Sequence, residues 1–248
     1  MSAAGPVLIR PDWPAPTRVQ AVSTTRIGGV SRGPYASLNL GARGGDDPAR
    51  VAANRARLAA AAGCPPPAWL DQVHGTAVAR PTPAAAAEPR ADAATADRPG
   101  LSCVVLTADC LPVLLCDRGG RRVAAAHAGW RGLAAGVIER TVAALGGNPD
   151  EVLAWLGPCI GADAFEVGPE VRAAFVDGDP GASDCFTPGD GDRSFADLRG
   201  LARRRLRAAG VAAVTASTAC TYGEADRFFS HRRDGPCGRM ATLVWLAD

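Results

Sequence analysis

Cys103-Val104-Val105-Leu106-Thr107-Ala108-Asp109-Cys110-Leu111-Pro112-Val113-Leu114-Leu115-Cys116-Asp117-Arg118-Gly119-Gly120-Arg121-Arg122-Val123-Ala124-Ala125-Ala126-His127 is the stretch on which the fold turns. It holds three short apolar runs, Cys103–Ala108, Pro112–Cys116 and Arg122–His127. Each has the length of a buried strand, and Asp117-Arg118-Gly119-Gly120 supplies a turn that pairs the last two as a hairpin. Upstream, Val19–Thr25 reads as a strand and Arg26–Pro34 as a turn-rich connection without the spacing of a dinucleotide fingerprint. Asp47 followed by Pro48 predicts a capped helix through Val51, Leu58 and Ala62, stopping at Gly63. Trp69–Val73 and Thr76–Ala79 read as strands around His74-Gly75, and Pro81–Pro99 as a Pro/Ala-rich loop. Downstream, Leu133–Leu145 predicts one helix ending at Gly146, Val152–Leu156 a strand, Pro169–Phe175 and Phe195–Ala209 helices, and Val211–Ala216 and Ala241–Leu246 strands. Hairpins mixed with strand–helix alternation point to an α+β chain with mixed sheets.

Composition removes several chemistries. The chain has 248 residues, 27 basic against 25 acidic, and no lysine, so every basic side chain is arginine. Lysine Schiff-base catalysis, the usual pyridoxal-phosphate enzymes and P-loop phosphate binding are excluded. A net charge of +2 gives no electrostatic case for nucleic acid, and Arg203-Arg204-Arg205 reads as a solvated helix face. No apolar stretch reaches the ~20 residues of a membrane span, and Met1–Pro16 carries prolines where a signal peptide would be apolar; a soluble, cytoplasmic protein is expected. Eight cysteines without a C-x-x-C pair read mostly as small buried hydrophobes in a reducing compartment.

Reactive residue types concentrate in Asp71-Gln72-Val73-His74-Gly75, Thr107-Ala108-Asp109-Cys110 and His127-Ala128-Gly129-Trp130-Arg131-Gly132. His74, Cys110 and His127 each end an apolar run beside glycine, proline or a helix start. A cysteine and two histidines are three ligands for zinc, leaving a fourth position open, as in a catalytic site. The same atoms also allow a second reading, a Cys110 thiolate activated by His127 with an amide near Gly129 as oxyanion donor. Each residue taken alone has a plainer reading, a hydrogen-bonded strand-end histidine or a buried thiol.

Thr107–Leu114, His127–Gly132, Trp155-Leu156-Gly157-Pro158-Cys159-Ile160-Gly161, Phe165-Glu166-Val167-Gly168 and Phe228–Arg233 closely resemble the YfiH/YlmD family, over about residues 25–246. The resemblance implies a single domain across 1–248 with α/β/β/α layers and mixed sheets, similar to the catalytic domain of cytotoxic necrotizing factor. It implies a zinc held by His74, Cys110 and His127, copper being possible in the same site. It further implies a transferase that phosphorolyses adenosine, inosine and methylthioadenosine and a hydrolase that deaminates adenosine. The family has also been described as a copper polyphenol oxidase and, in one branch, as a peptidoglycan editing factor. Three histidines are far too few for multicopper centres, which leaves polyphenol oxidation as a side activity. Besides the phosphorylase, a peptidoglycan-precursor amidase and a non-catalytic metal-binding protein stay open. For phosphorolysis the expected anion ligand is Arg55, with Arg232 and Arg233 next. Asp109 or Gln72 would orient water or base, although Asp109 also suits a local cap. His231 stands where related sequences often carry tyrosine and is not counted as a ligand. Cys159 and Cys237 also depart from the family pattern, where alanine and threonine are expected. The expected partners are a purine nucleoside and phosphate, with the chain a monomer or small homo-oligomer.

Overall fold

The computed structural model describes residues 5–82 and 87–248. The chain runs through β1 (Leu8–Ile9), β2 (Val19–Thr24), α1 (Pro48–Ala62), β3 (Pro67–Ala68), β4 (Val78–Ala79), β5 (Ala93–Ala96), β6 (Ser102–Thr107) and β7 (Leu111–Asp117). It continues through β8 (Val123–Ala128), α2 (Trp130–Ala134), α3 (Val137–Leu145), β9 (Val152–Leu156), β10 (Glu166–Val167), α4 (Pro169–Val176), β11 (Phe186–Pro188) and β12 (Ser194–Ala196). It closes with α5 (Leu198–Ala208), β13 (Ala213–Ala216), α6 (His231–Asp234) and β14 (Met240–Leu246).

Two large mixed sheets result, in the orders β1-β2-β14-β6-β3 and β13-β9-β7-β8-β5-β4, with a small β10-β12-β11 sheet beside them. Strand alternation decides how they stack. In β6, Cys103 and Val105 point at the second sheet, where they meet Leu114 and Cys116 of β7, Ala125 of β8 and Trp155 of β9. Val104, between them, points outward onto Leu58 and Ala62 of α1. In β7, Val113 and Leu115 turn away from the first sheet to pack with Ile138 and Val142 of α3 and with α4 and α5. The layers are therefore α/β/β/α. Strands covered on both faces have no polar side to show, which is why they read as unbroken apolar runs.

The β7–β8 hairpin forms as expected, Leu111 pairing with Ala128 and Cys116 with Val123. Its turn is held by the buried Asp117 carboxylate, which accepts from the backbone N–H groups of Arg121 (2.7 Å) and Arg122 (2.9 Å). Burial pushes the Asp117 carboxyl up, but those two N–H groups and the adjacent guanidinium groups outweigh it, so the net shift is downward. A depressed carboxyl stabilises the fold above its unfolded pKa and loses that contribution as pH falls through the folded one. Asp117→Ala is expected to cost about 1–3 kcal/mol at neutral pH in urea melts. The gap from wild type should close as pH drops below the ordinary carboxylate value of ~3.9; a gap independent of pH would rule this account out.

α1 begins and ends as the sequence predicts, with Asp47 accepting from Ala49 N–H at 2.8 Å and Gly63 at the C-cap. Asn54, on its buried face, accepts from Val30 N–H and donates to Ser31, Ser37 and Asn39, so the Gly-rich 28–39 segment is fastened to the helix.

Other expectations need correction. Residues 69–73 are not a strand: Asp71 makes one isolated bridge to Arg90, and the Gln72 amide takes the N–H and C=O of Leu106 that a neighbouring backbone would have used. The strand expected at Thr76–Ala79 shortens to Val78–Ala79. Pro81–Pro99 is not loop throughout, because Ala93–Ala96 is a strand that shows no apolar contrast in sequence although Ala93 and Ala94 are fully buried; residues 83–86 of that stretch lie outside the described residues. The helix expected over Leu133–Leu145 is two helices, broken at Gly136 with φ 96°. The helix placed at Phe195 starts at Leu198, since 194–196 joins the small sheet and Asp197 caps.

Candidate metal centre

The chain crosses from the first sheet to the second twice, and both crossings end at one place. His74 lies on the crossing from β3 to β4, and Cys110 on the crossing from β6 to β7. His127 comes from the end of β8. One ligand atom from each lies within 4.8 Å of the others. Cys110 Sγ is 3.8 Å from His74 Nε2, and the two imidazoles meet edge to face with centroids 4.7 Å apart. His127 is buried, Cys110 half-buried and His74 exposed. Soft sulfur with two imidazole nitrogens is a donor set that suits zinc, with room for a fourth ligand.

The backbone is bent to achieve this. His74 and Asp109 are the two non-glycine residues with positive φ among those described, at 59° and 85°, a conformation costing about 1–3 kcal/mol each. Asp92, which the sequence reading missed, holds the first. Its fully buried carboxylate accepts from the consecutive N–H groups of Val73 (3.2 Å), His74 (2.9 Å) and Gly75 (2.6 Å). It also accepts from His127 Nδ1 at 2.9 Å. A carboxylate can only accept, so Nδ1 carries a proton and Nε2 of His127 is the nitrogen turned to the cluster, the one that would give its lone pair to an ion. Burial pushes the Asp92 carboxyl up, and the hydrogen bonds from His127 and the backbone more than reverse it. Burial likewise raises the Cys110 thiol, but His127 and then His74 draw it down to about 6. His127 is disfavoured as a cation by burial, yet Cys110 and Asp92 carry it up to about 9. Without an ion the pair is thiolate and imidazolium, so the sulfur is already in the form a metal binds.

Asp109 holds the second bend. One oxygen accepts from Thr221 Oγ1 (2.7 Å), and the other from Ser230 Oγ (3.0 Å) and Arg232 N–H (2.7 Å). These bonds tie α6 to the Cys110 crossing and commit both oxygens. Gly129 closes the cluster from behind: a Cβ there would stand 2.7 Å from His74 Cδ2 and 3.0 Å from Cys110 Sγ.

The cluster opens on a cavity of about 500 Å³ that also receives Arg43, Arg55, Gln72, Arg131, His231 and Arg239. Arg55 donates to Leu40 O and Glu88 and lies over Trp69, so it belongs to the cavity wall rather than to solvent. The Gln72 amide is spent on Leu106. Arg131, absent from the sequence expectations, stacks on Trp130, and its guanidinium makes no hydrogen bond among the described residues. The signal was present in His127–Gly132, but only the fold shows which way the motif's arginine is left free. A second, smaller cavity of about 130 Å³, with Trp130, Phe165, Ile160 and Leu198 in its walls, joins the first at His74, Cys110, Arg131 and His231. Arg232 lies there, donating to Glu166 O near Phe165, while Arg233 is committed to carbonyls of Thr221, Tyr222 and Phe228.

Residues 20–247 match the family described as multi-copper polyphenol oxidoreductase laccase. Purine nucleoside phosphorylase YfiH of Escherichia coli K12 is 55% identical over 240 residues, 96% of this chain and 98% of its own length. The chain belongs to the YfiH family. A purine nucleoside phosphorylase of Pseudomonas aeruginosa is similar at 55% over 241 residues, 97% of this chain and 98% of that protein. Among solved YfiH-like structures, a Neisseria meningitidis protein superposes with a TM-score of 0.95 at 50% identity, covering 97% of this chain and 99% of that one. YlmD of Geobacillus stearothermophilus does so with 0.91 at 32% identity, over 100% and 98%. The multicopper part of the YfiH family description meets a chain with three histidines, of which His231 stands outside the ligand cluster. No helix among the described residues is long and apolar enough to cross a membrane.

Proposed function

We propose that this protein is a zinc-dependent purine nucleoside phosphorylase acting on adenosine, inosine and methylthioadenosine, with adenosine deamination in the same site. The observation that carries this reading is one cavity holding both the His74–Cys110–His127 cluster and four arginines, Arg43, Arg55, Arg131 and Arg239. Phosphorolysis needs a cation for inorganic phosphate, and in a lysine-free chain every permanently charged basic side chain is arginine. Arg131 has its guanidinium unspent and is assigned the phosphate, while Arg55, on the same cavity, is restrained by Glu88 and Trp69. When bound at the cluster, zinc supplies Lewis-acid chemistry toward an oxygen of water or substrate. Asp92 keeps His127 in the tautomer that faces the cluster, and Gln72 braces the crossing that carries His74. Asp109 is read as a positioning residue. The relatives named as purine nucleoside phosphorylases support the reading over most of their length.

The test is purified, metal-replete protein incubated with adenosine or inosine, with and without phosphate. Free base released only when phosphate is present is the expected result, with inosine appearing from adenosine in either case. No turnover of any nucleoside at full zinc occupancy would sink the reading.

A further inference from the structure

Every ionisable group on the two cavities has a fixed duty except one. His74, Cys110 and His127 form the candidate ligand set. Glu88 is paired with Arg55 and Arg43, Asp109 accepts three hydrogen bonds, and the buried Cys237 thiol, raised by burial, lies against Arg239. The arginines stay charged throughout the accessible pH range. That leaves His231, the first residue of α6, which lies on both cavities where they join. Its Nδ1 is 2.9 Å from Gly235 O. A carbonyl only accepts, so Nδ1 carries a proton and the ring is oriented with Nε2 as its free nitrogen. The orientation is built in twice over, since Asp109, next to the ligand Cys110, receives the N–H of Arg232 and the hydroxyl of Ser230 on either side of His231.

We propose that His231 is the proton donor to the leaving purine, a role that rests on the phosphorylase reading above. As a phosphate oxygen bonds to the ribose C1′, the C1′–N9 bond breaks and its electron pair passes into the purine ring. Nε2–H of the imidazolium gives its proton to N7. Hydrogen phosphate loses a proton on becoming the sugar phosphate dianion, and the exposed imidazole recovers one from solvent, so the exchange balances. Asp109 then serves catalysis through His231, as the residue that sets the distance between α6 and Cys110.

The experiment compares His231→Gln with wild type on inosine and on 7-methylinosine, whose N7 is already alkylated and needs no proton to leave. With inosine, kcat is expected to fall roughly 100-fold or more, the range of general-acid contributions, with KM little changed. With 7-methylinosine the variant should stay close to wild type. His231→Tyr, which keeps an O–H donor, should recover part of the inosine rate. Equal losses on both substrates, or no loss on inosine, would overturn the proposal. So would loss of bound metal from His231→Gln, which would make this histidine a ligand instead. Absence of phosphate-dependent turnover in the wild type on either substrate would overturn the phosphorylase reading itself, and this role with it.

Discussion

Cys110→Ser is expected to strip the protein of metal and of nucleoside turnover together. Serine is nearly the same size, so the crossing from β6 to β7 and its Asp109 anchor are kept; what goes is the one soft, negatively charged donor among three. Affinity for zinc, measured by chelator competition, should fall by more than the ~100-fold that loss of an outer-shell partner can reach. Unchanged zinc content in the variant would reject the ligand assignment. The same cysteine gives a second, independent reading. In metal-stripped wild type, where His127 and His74 draw the thiol down to about 6 against the effect of burial, iodoacetamide should label Cys110 at neutral pH, and zinc should protect it. A substrate-derived acyl adduct trapped on Cys110 of the metal-free protein would instead favour the peptidoglycan-amidase chemistry.

Asp92→Ala should be the most damaging change that touches neither substrate nor metal. It removes the acceptor for three consecutive N–H groups and for His127 Nδ1 from a fully buried position. Breaking a buried charged pair by deleting one partner costs about 3–5 kcal/mol, to be read from denaturant melts. Because the left-handed His74 backbone and the His127 tautomer both depend on this carboxylate, zinc affinity should also drop ~10–100-fold. Asp92→Asn keeps one acceptor oxygen and should fall between. An Asp92→Ala variant with normal zinc affinity would show that the cluster does not need its support.

How much of this was legible in sequence depended on whether side-chain contrast survives in the letters. The β7–β8 hairpin was readable because both its strands are apolar on two faces and Asp117 to Gly120 spell a turn. His74, Cys110 and His127 were readable because reactive residues among Gly, Pro and Ala at strand ends stand out. Asp92 was not, since its strand is Ala93-Ala94-Thr95-Ala96 and carries no period to mark an element boundary. Residues 69–73 misled for the opposite reason: they look like a strand, but the Gln72 side chain does the pairing. Arg131 and Arg55 differ only in what surrounds them, one unspent and one restrained by Glu88, and nothing local to either residue says so.

The two crossings that deliver His74 and Cys110 are the points at which the chain leaves the first sheet for the second, and His127 belongs to the second sheet alone. An ion held by all three is thus a clasp between layers, binding the folded protein and not the open chain. Parting the sheets would then mean releasing the ion, and on the zinc reading proposed above each tenfold rise in free zinc above its dissociation constant is expected to add about 1.4 kcal/mol against unfolding. The melting point is then expected to serve as a gauge of the metal available to the protein.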